Sequence, residues 1–431
     1  MWRKFKVSLI LLGTLFIIAG CGKKDLGNTY VEGMDYQYMY KSDAIFTSSQ
    51  AKGENGYFFC KDKFIYYLED ETQRVTPLCN KADCLHDAEQ DTTRRKSCNA
   101  HVNSGPFAEG TFIGIAYCDG YLYCVDIFDD GFKGDELEGQ ALYRIKEDGS
   151  QKEMLYQWED PTVKEWCIHR NGFYYVEKYI ESEPTVKSGF CVKYIDLDSM
   201  VIGESEVIYD TKDLDEVYAV NNLCAYGNYI YFIVFGVSGT SPNEFANMSA
   251  KEQLDYTFYE CFVYDLQKKE LTCLEPMDNP YMVVTDVVFW QDKLIWATYD
   301  LSEQDKVEDV YWSELDGTNP QVLLENMREN TKYYSDGEYL YCSNSFMVEY
   351  EGLEETPTMV VYDKEMNIVD TFEMPWCWDR EIGDSSQMFV FLQYDDKGKW
   401  QIIRFDKSKL GTYNGKMMEY DVIFERNLVD F

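Results

Sequence analysis

Apolar and aromatic residues run along this chain in short stretches, each broken by a polar pair suited to a tight turn. The clearest case is Tyr117–Asp126, Tyr-Cys-Asp-Gly-Tyr-Leu-Tyr-Cys-Val-Asp. Asp119 and Gly120 suit the positive φ of a type I′ turn, and Tyr121, Tyr123 and Val125 suit a pleated surface, so the stretch predicts a β-hairpin. Variants recur at Phe59–Tyr67, His169–Tyr175, Ala225–Phe232, Phe289–Trp296 and Tyr334–Tyr341.

The hairpins fall into units of about fifty residues, a period of propeller arrays. Thr285–Asn326 shows a whole unit: strands Asp286–Trp290, Lys293–Tyr299 and Asp309–Glu314, a turn at Asp316-Gly317, and a strand Gln321–Glu325. Third and fourth strands recur at Ala141–Tyr156, Cys191–Tyr209, Cys261–Leu274, Thr358–Phe372 and Trp400–Phe424. Units begin near Gly56, Gly110, Trp166, Leu223, Thr285, Thr331 and Trp376. The expected fold is therefore an all-β propeller of four-stranded antiparallel blades, seven by this count, with six or eight as alternatives. Two stacked sandwiches compete, but the spacing shows no linker between them. The first unit, Gly56–Cys79, holds three strands, and the tail Tyr420–Phe431 is expected to complete it. Long segments fall on strand 2–3 connections and inter-unit links, which an up-and-down meander puts on one face; that face is expected to carry function.

Composition agrees: the chain has 36 Tyr and 25 Phe against 10 Pro. The formal charge of −37 argues against nucleic acid and anionic lipid surfaces as binding partners. At the N-terminus, Arg3, Lys4 and Lys6 precede the apolar run Val7–Ile18, too short to span a bilayer. The run ends in Ile18-Ala19-Gly20-Cys21, which resembles the lipobox of bacterial lipoproteins, where the Cys is acylated after cleavage. An uncleaved anchor is the alternative. The expected division is a signal peptide over 1–20, an acylated Cys21 with a polar tether over 21–53, and a propeller over 54–431. Loss of residues 1–20 removes three positive charges and leaves the mature chain still more acidic.

Most of the 14 cysteines lie inside apolar runs, where a thiol acts as a small hydrophobe. A two-residue turn puts Cys118 and Cys124 on opposite sheet faces, so these two cannot bridge. A different pattern appears in the first inter-unit link, Cys79-Asn-Lys-Ala-Asp-Cys84-Leu-His86 followed by Cys98-Asn-Ala-His101. Thiolates and imidazole suit tetrahedral Zn²⁺, and Cys79, Cys84, His86 and Cys98 would close a structural site, with His101 as substitute for Cys98. A Cys–Cys bridge with a spare thiol is the alternative. Trp376 and Trp378, with Trp158 and Trp166, offer aromatic faces beside carboxylates for sugar or peptide stacking; packing between blades is the other use of such residues. The acidic run from Asp126 to Glu138 lacks the spacing of a calcium loop. No Gly-x-Ser-x-Gly, Ser-x-x-Lys, P-loop or dinucleotide fingerprint occurs.

The lipobox, the Tyr-rich hairpins and the Leu-Cys-x4-Cys-x-His segment together resemble uncharacterised propeller-like lipoproteins of Gram-positive bacteria. The resemblance implies a cell-surface location and little about activity. The expected function is a lipid-anchored extracytoplasmic module that binds a glycan, peptide or surface protein. A polysaccharide-active enzyme, glycosidase or lyase, on the same scaffold is the alternative.

Overall fold

The computed structural model describes residues 27–37 and 50–427, apart from residues 62, 138, 215 and 385 and the segments 104–113, 128–131, 134–135, 159–161, 182–186, 199–204, 275–281, 301–306, 329–330, 345–355, 376–377 and 395–398. Seven four-stranded antiparallel sheets follow one another as a meander, with strands paired in chain order and a two-stranded ribbon, Phe132–Lys133 with Glu136–Leu137, inserted between the second and third strands of blade 2. The fold is a seven-bladed β-propeller. Blade 1 comprises Gln50–Lys52, Gly56–Lys61, Phe64–Glu69 and Val75–Pro77. Blades 2 to 7 span 115–158, 163–210, 216–274, 282–328, 332–373 and 378–427.

Turn chemistry sets the strand register. Asp119 and Gly120 have φ of 47° and 78°, and the pair Cys118↔Tyr121 closes the hairpin as the sequence predicts. Arg170-Asn171 and Gln291-Asp292 reach the same left-handed region without glycine. Each blade is apolar on both faces, so the seams between blades form the core. Cys124 faces the seam with blade 1 and Cys118 the seam with blade 3, on opposite sides of the same sheet. The seams also explain the abundance of tyrosine. The ring fills dry space while the hydroxyl reaches a turn carboxylate on the adjacent blade, as from Tyr226 to Asp292 (2.5 Å) and from Tyr57 to Asp384 (2.6 Å).

Ring closure differs from the expectation. Residues 421–427 pair with Lys399–Asp406 as the outermost strand of blade 7, and the tail does not complete blade 1. The missing strand comes instead from the N-terminal side, where Gln50–Lys52 pairs with residues 57–59. That strand is only three residues long, too short for its polar sequence to show a period. Blades 7 and 1 meet face to face: Tyr57 packs on Phe389 at 5.0 Å, Lys52 lies 3.8 Å from Asp384, and Gln387 reaches Asp70.

Residues 27–37, expected as tether, lie along the strand 1–2 turns of the first four blades. The Asp35 carboxylate, its side chain 1% exposed, forms a two-pronged pair with Arg170. Arg170 also donates to the carbonyls of Gly27 and Thr29 and to Asn228 Oδ1. His169 is fully buried; its Nδ1 accepts from the Tyr36 amide at 2.9 Å while Nε2 donates to the Gly227 carbonyl at 2.7 Å. Burial and the Arg170 charge pull the imidazole down to about 4 despite Asp35, so it stays neutral in one tautomer. Asn28 Oδ1 accepts from the Asn228 amide, the Gly33 carbonyl from Asp119, and Gln37 exchanges two hydrogen bonds with the Lys52 backbone. The segment is a strap stitching blades 1 to 4 at their inner turns.

Candidate metal centre

The link from blade 1 to blade 2 leaves the end of strand Val75–Pro77 and doubles back on itself. The outgoing leg is fixed by Leu78 N–H to the Ile65 carbonyl (2.9 Å), and the Asn80 amide reaches the Gly149 carbonyl in the strand 3–4 turn of blade 2. Gly149 must be glycine: its φ is +69°, and a Cβ there would lie 2.8 Å from the Cys79 nitrogen. The link then makes a single 3₁₀ turn, His86–Ala88, with His86 at φ 55°. The return leg is a short helix, Thr92–Lys96, capped by Asp91, which accepts from the Arg94 amide. Cys98 follows, its amide bonded to the Arg95 carbonyl, and Ala100 accepts from the Ile65 amide beside blade 1.

This doubling brings Cys79, Cys84, His86 and Cys98 together, with all four ligand atoms within 4.8 Å of one another. Cys98 Sγ lies 3.6 Å from His86 Nδ1, and Cys84 Sγ accepts the His86 amide at 3.4 Å. A tetrahedral centre with metal–sulfur bonds of about 2.3 Å sets its sulfurs about 3.8 Å apart, close to this spread. None of the described cysteines forms a disulfide. Burial raises the Cys79 thiol, but the amides of Lys81 and Asn99 and hydrogen bonds from Cys98 and Cys84 outweigh it, and the group settles below its ordinary value. Burial holds the Cys98 thiol well above its own. Three sulfurs and one imidazole converging in a partly buried pocket fit a soft or borderline divalent metal.

Neighbouring residues orient the cluster. Asp87 accepts from Arg426 at 2.6 Å, and the same guanidinium nitrogen donates to Tyr66 Oη, also at 2.6 Å. Arg426 sits on the last strand of blade 7, so the link also clasps the rim of the closing seam. His101 is not part of the cluster. It is buried edge-on to Phe64 at 5.4 Å, and burial with Lys152 and Arg95 nearby drives its pKa down to about 3.

The aromatic candidates separate. Trp158 and Trp166 are 5% and 3% exposed, packed with Phe173 and Tyr175 in the seam between blades 2 and 3. Neither presents a ring face to a ligand in this structure. Trp378 begins a strand of blade 7, and Trp376 lies outside the described residues. Most long connections of the elaborated face also lie outside them. The strand 2–3 connection of blade 4 is an exception, with helices Pro242–Ala246 and Ala250–Leu254 each held by a capping box. Among the described residues, no helix is long and apolar enough to cross a membrane. The part played by His169 and Arg170 was missed from sequence. The signal available was their place at a hairpin turn, where a charged and an imidazole side chain side by side ask for partners.

No protein-family model matches the chain, and no curated protein matches its sequence. Solved structures share the fold. A prolyl endopeptidase matches with a TM-score of 0.54 at 12% identity over 89% of this chain and 51% of that one. A puromycin hydrolase matches with 0.52 at 9% identity over 94% and 57%. The tricorn protease matches with 0.50 at 10% identity over 93% and 36%. The chain thus spans about half the length of the first two and about a third of the last, and at these identities the likeness is one of fold alone.

Proposed function

We propose that this protein is a lipid-anchored binding module of the extracytoplasmic membrane surface, carried on Cys21, with one structural zinc clasping the link between its first two blades. The observation that carries the reading is the convergence of Cys79, Cys84, His86 and Cys98. Four protein ligands fill a tetrahedral shell and leave no position for a reacting water, which suits a structural centre rather than a catalytic one. Bound zinc would pin a largely polar excursion that lacks an apolar core of its own. The chain's one Cys/His cluster among the described residues then serves architecture, and the other long loops of the ring are left for recognition of a glycan, peptide or surface protein.

The test is metal analysis and ligand screening on one preparation of residues 22–431. The expected result is about one zinc per chain, four-coordinate with three sulfurs, together with saturable binding on a glycan or peptide array. A metal-free chain with Cys79 and Cys84 oxidised to each other would remove the zinc. Cleavage of an arrayed polysaccharide would replace the binding module with the enzyme.

A further inference from the structure

We infer that the strap over residues 27–37 decides which face of the ring meets the membrane. The face carrying the strand 1–2 turns is held toward lipid, and the face of long connections points away. This rests on the reading of Cys21 as an acylated anchor. The strap itself is a described part of the fold, fixed by the Asp35–Arg170 pair, by His169 between Tyr36 and Gly227, and by Asn28 on the turn of blade 4.

Length supplies the argument. Gly27 is bound through its carbonyl to Arg170, close to the inner turns. From Cys21 to Gly27 the chain spans at most about 20 Å even when fully extended. Strand Tyr229–Val237 runs from one face of the ring to the other, and its nine residues cover roughly 30 Å. A lipid on Cys21 therefore cannot reach around the ring to place the opposite face on the bilayer. Asp119, Asp198 and Glu54 are exposed on the strapped face. These carboxylates repel anionic headgroups, so the ring stands off at the length of its tether and does not sink into the surface. The membrane contact is the acyl chain. The binding face is left free toward the surroundings.

The test uses the full chain, processed and acylated, reconstituted in vesicles. One variant carries a site-specific protease sequence in the strand 3–4 turn at Gln267-Lys268, on the strapped face, and another carries it at Asn247-Met248, between the two helices of the strand 2–3 connection of blade 4, on the opposite face. In vesicles the second site should be cut as fast as in detergent, and the first severalfold more slowly. Inserting about twenty Gly and Ser residues after Leu26 should restore cutting at the first site. If both sites are cut alike in vesicles while mass spectrometry finds the acyl group on Cys21, the orientation fails and the anchor stands. If Cys21 carries no acyl group, both fail.

Discussion

Two short polar segments hold the ring from different sides, and they do so by different means. The link over 79–101 closes on itself through side chains that lie near one another in sequence, and it grips the outer rim of blades 1, 2 and 7. The strap over 27–37 closes only one turn of its own, where the Val31 amide meets the Asp35 carboxylate and the Asp35 amide meets the Val31 carbonyl. It is held by His169 and Arg170, more than 130 residues away. The first is a local knot that a metal can tighten. The second is a suture that exists only after three further blades have formed beside it. Neither segment has enough apolar surface to order itself by burial.

The largest effect expected on this contrast is metal loss. Chelation, or Cys84→Ser, should free residues 80–101 to rapid amide exchange while the blade strands and the strap keep their protection; structural zinc contributes on the order of 10 kcal/mol in small domains. Simultaneous loss of protection in strap and link would show that the two are not independent. Next is Arg170→Ala, which leaves the Asp35 carboxylate buried and unpaired and should cost about 3–5 kcal/mol. Exchange should rise over 27–37 and leave 80–101 unchanged. Arg170→Lys should recover only part, since an ammonium cannot reproduce the fork that reaches Asp35, Gly27 and Asn228 together.

The strap should also respond to acid. His169 titrates near 4 in the fold against 6.5 when free, so the folded state binds fewer protons across that interval. Its contribution is complete above pH 6.5 and is lost as pH falls toward 4, reaching about 3 kcal/mol there. Exchange over 27–37, corrected for intrinsic rate, should rise between pH 7 and 5, and His169→Gln should flatten that dependence. A parent strap insensitive to pH in this range would place the proton elsewhere. The smallest effect is at the seam outside both segments. Tyr57→Phe removes one hydrogen bond to Asp384 while keeping the ring on Phe389, and should lower stability by about 1–2 kcal/mol without loosening either segment.

The same contrast explains what the sequence disclosed. The blades were legible because Asp-Gly and related pairs sit between runs whose period matches a strand, as at Asp119-Gly120 and Gln291-Asp292. The ligand cluster was legible because its residue types crowd into one link. The strap was not, because residues 27–37 show no period, and their partners are ordinary turn residues of other blades. The closing strand failed for a related reason: Gln50–Lys52 offers three residues, none of them β-branched or aromatic, and pairing with residues 57–59 is what makes it a strand. Trp158 and Trp166 show the limit of side-chain type as evidence. Beside carboxylates in sequence they suggest a stacking platform, yet neighbouring aromatics in the seam claim both rings.

The seam between blades 7 and 1 has a consequence for how the molecule is made. Because every sheet is completed within one continuous stretch of chain, no blade waits for a distant terminus. A chain that emerges N-terminus first can finish each sheet as it arrives and stack it on the last. The strap sets an intermediate milestone, since Asn28 finds its partner only when Asn228 has emerged, two hundred residues later. Assembly thus divides into a sutured half-circle of four blades and an unsutured remainder of three. The final event is a docking of two finished surfaces, which a chaperone or a folding defect would meet as an open ring rather than as a missing strand.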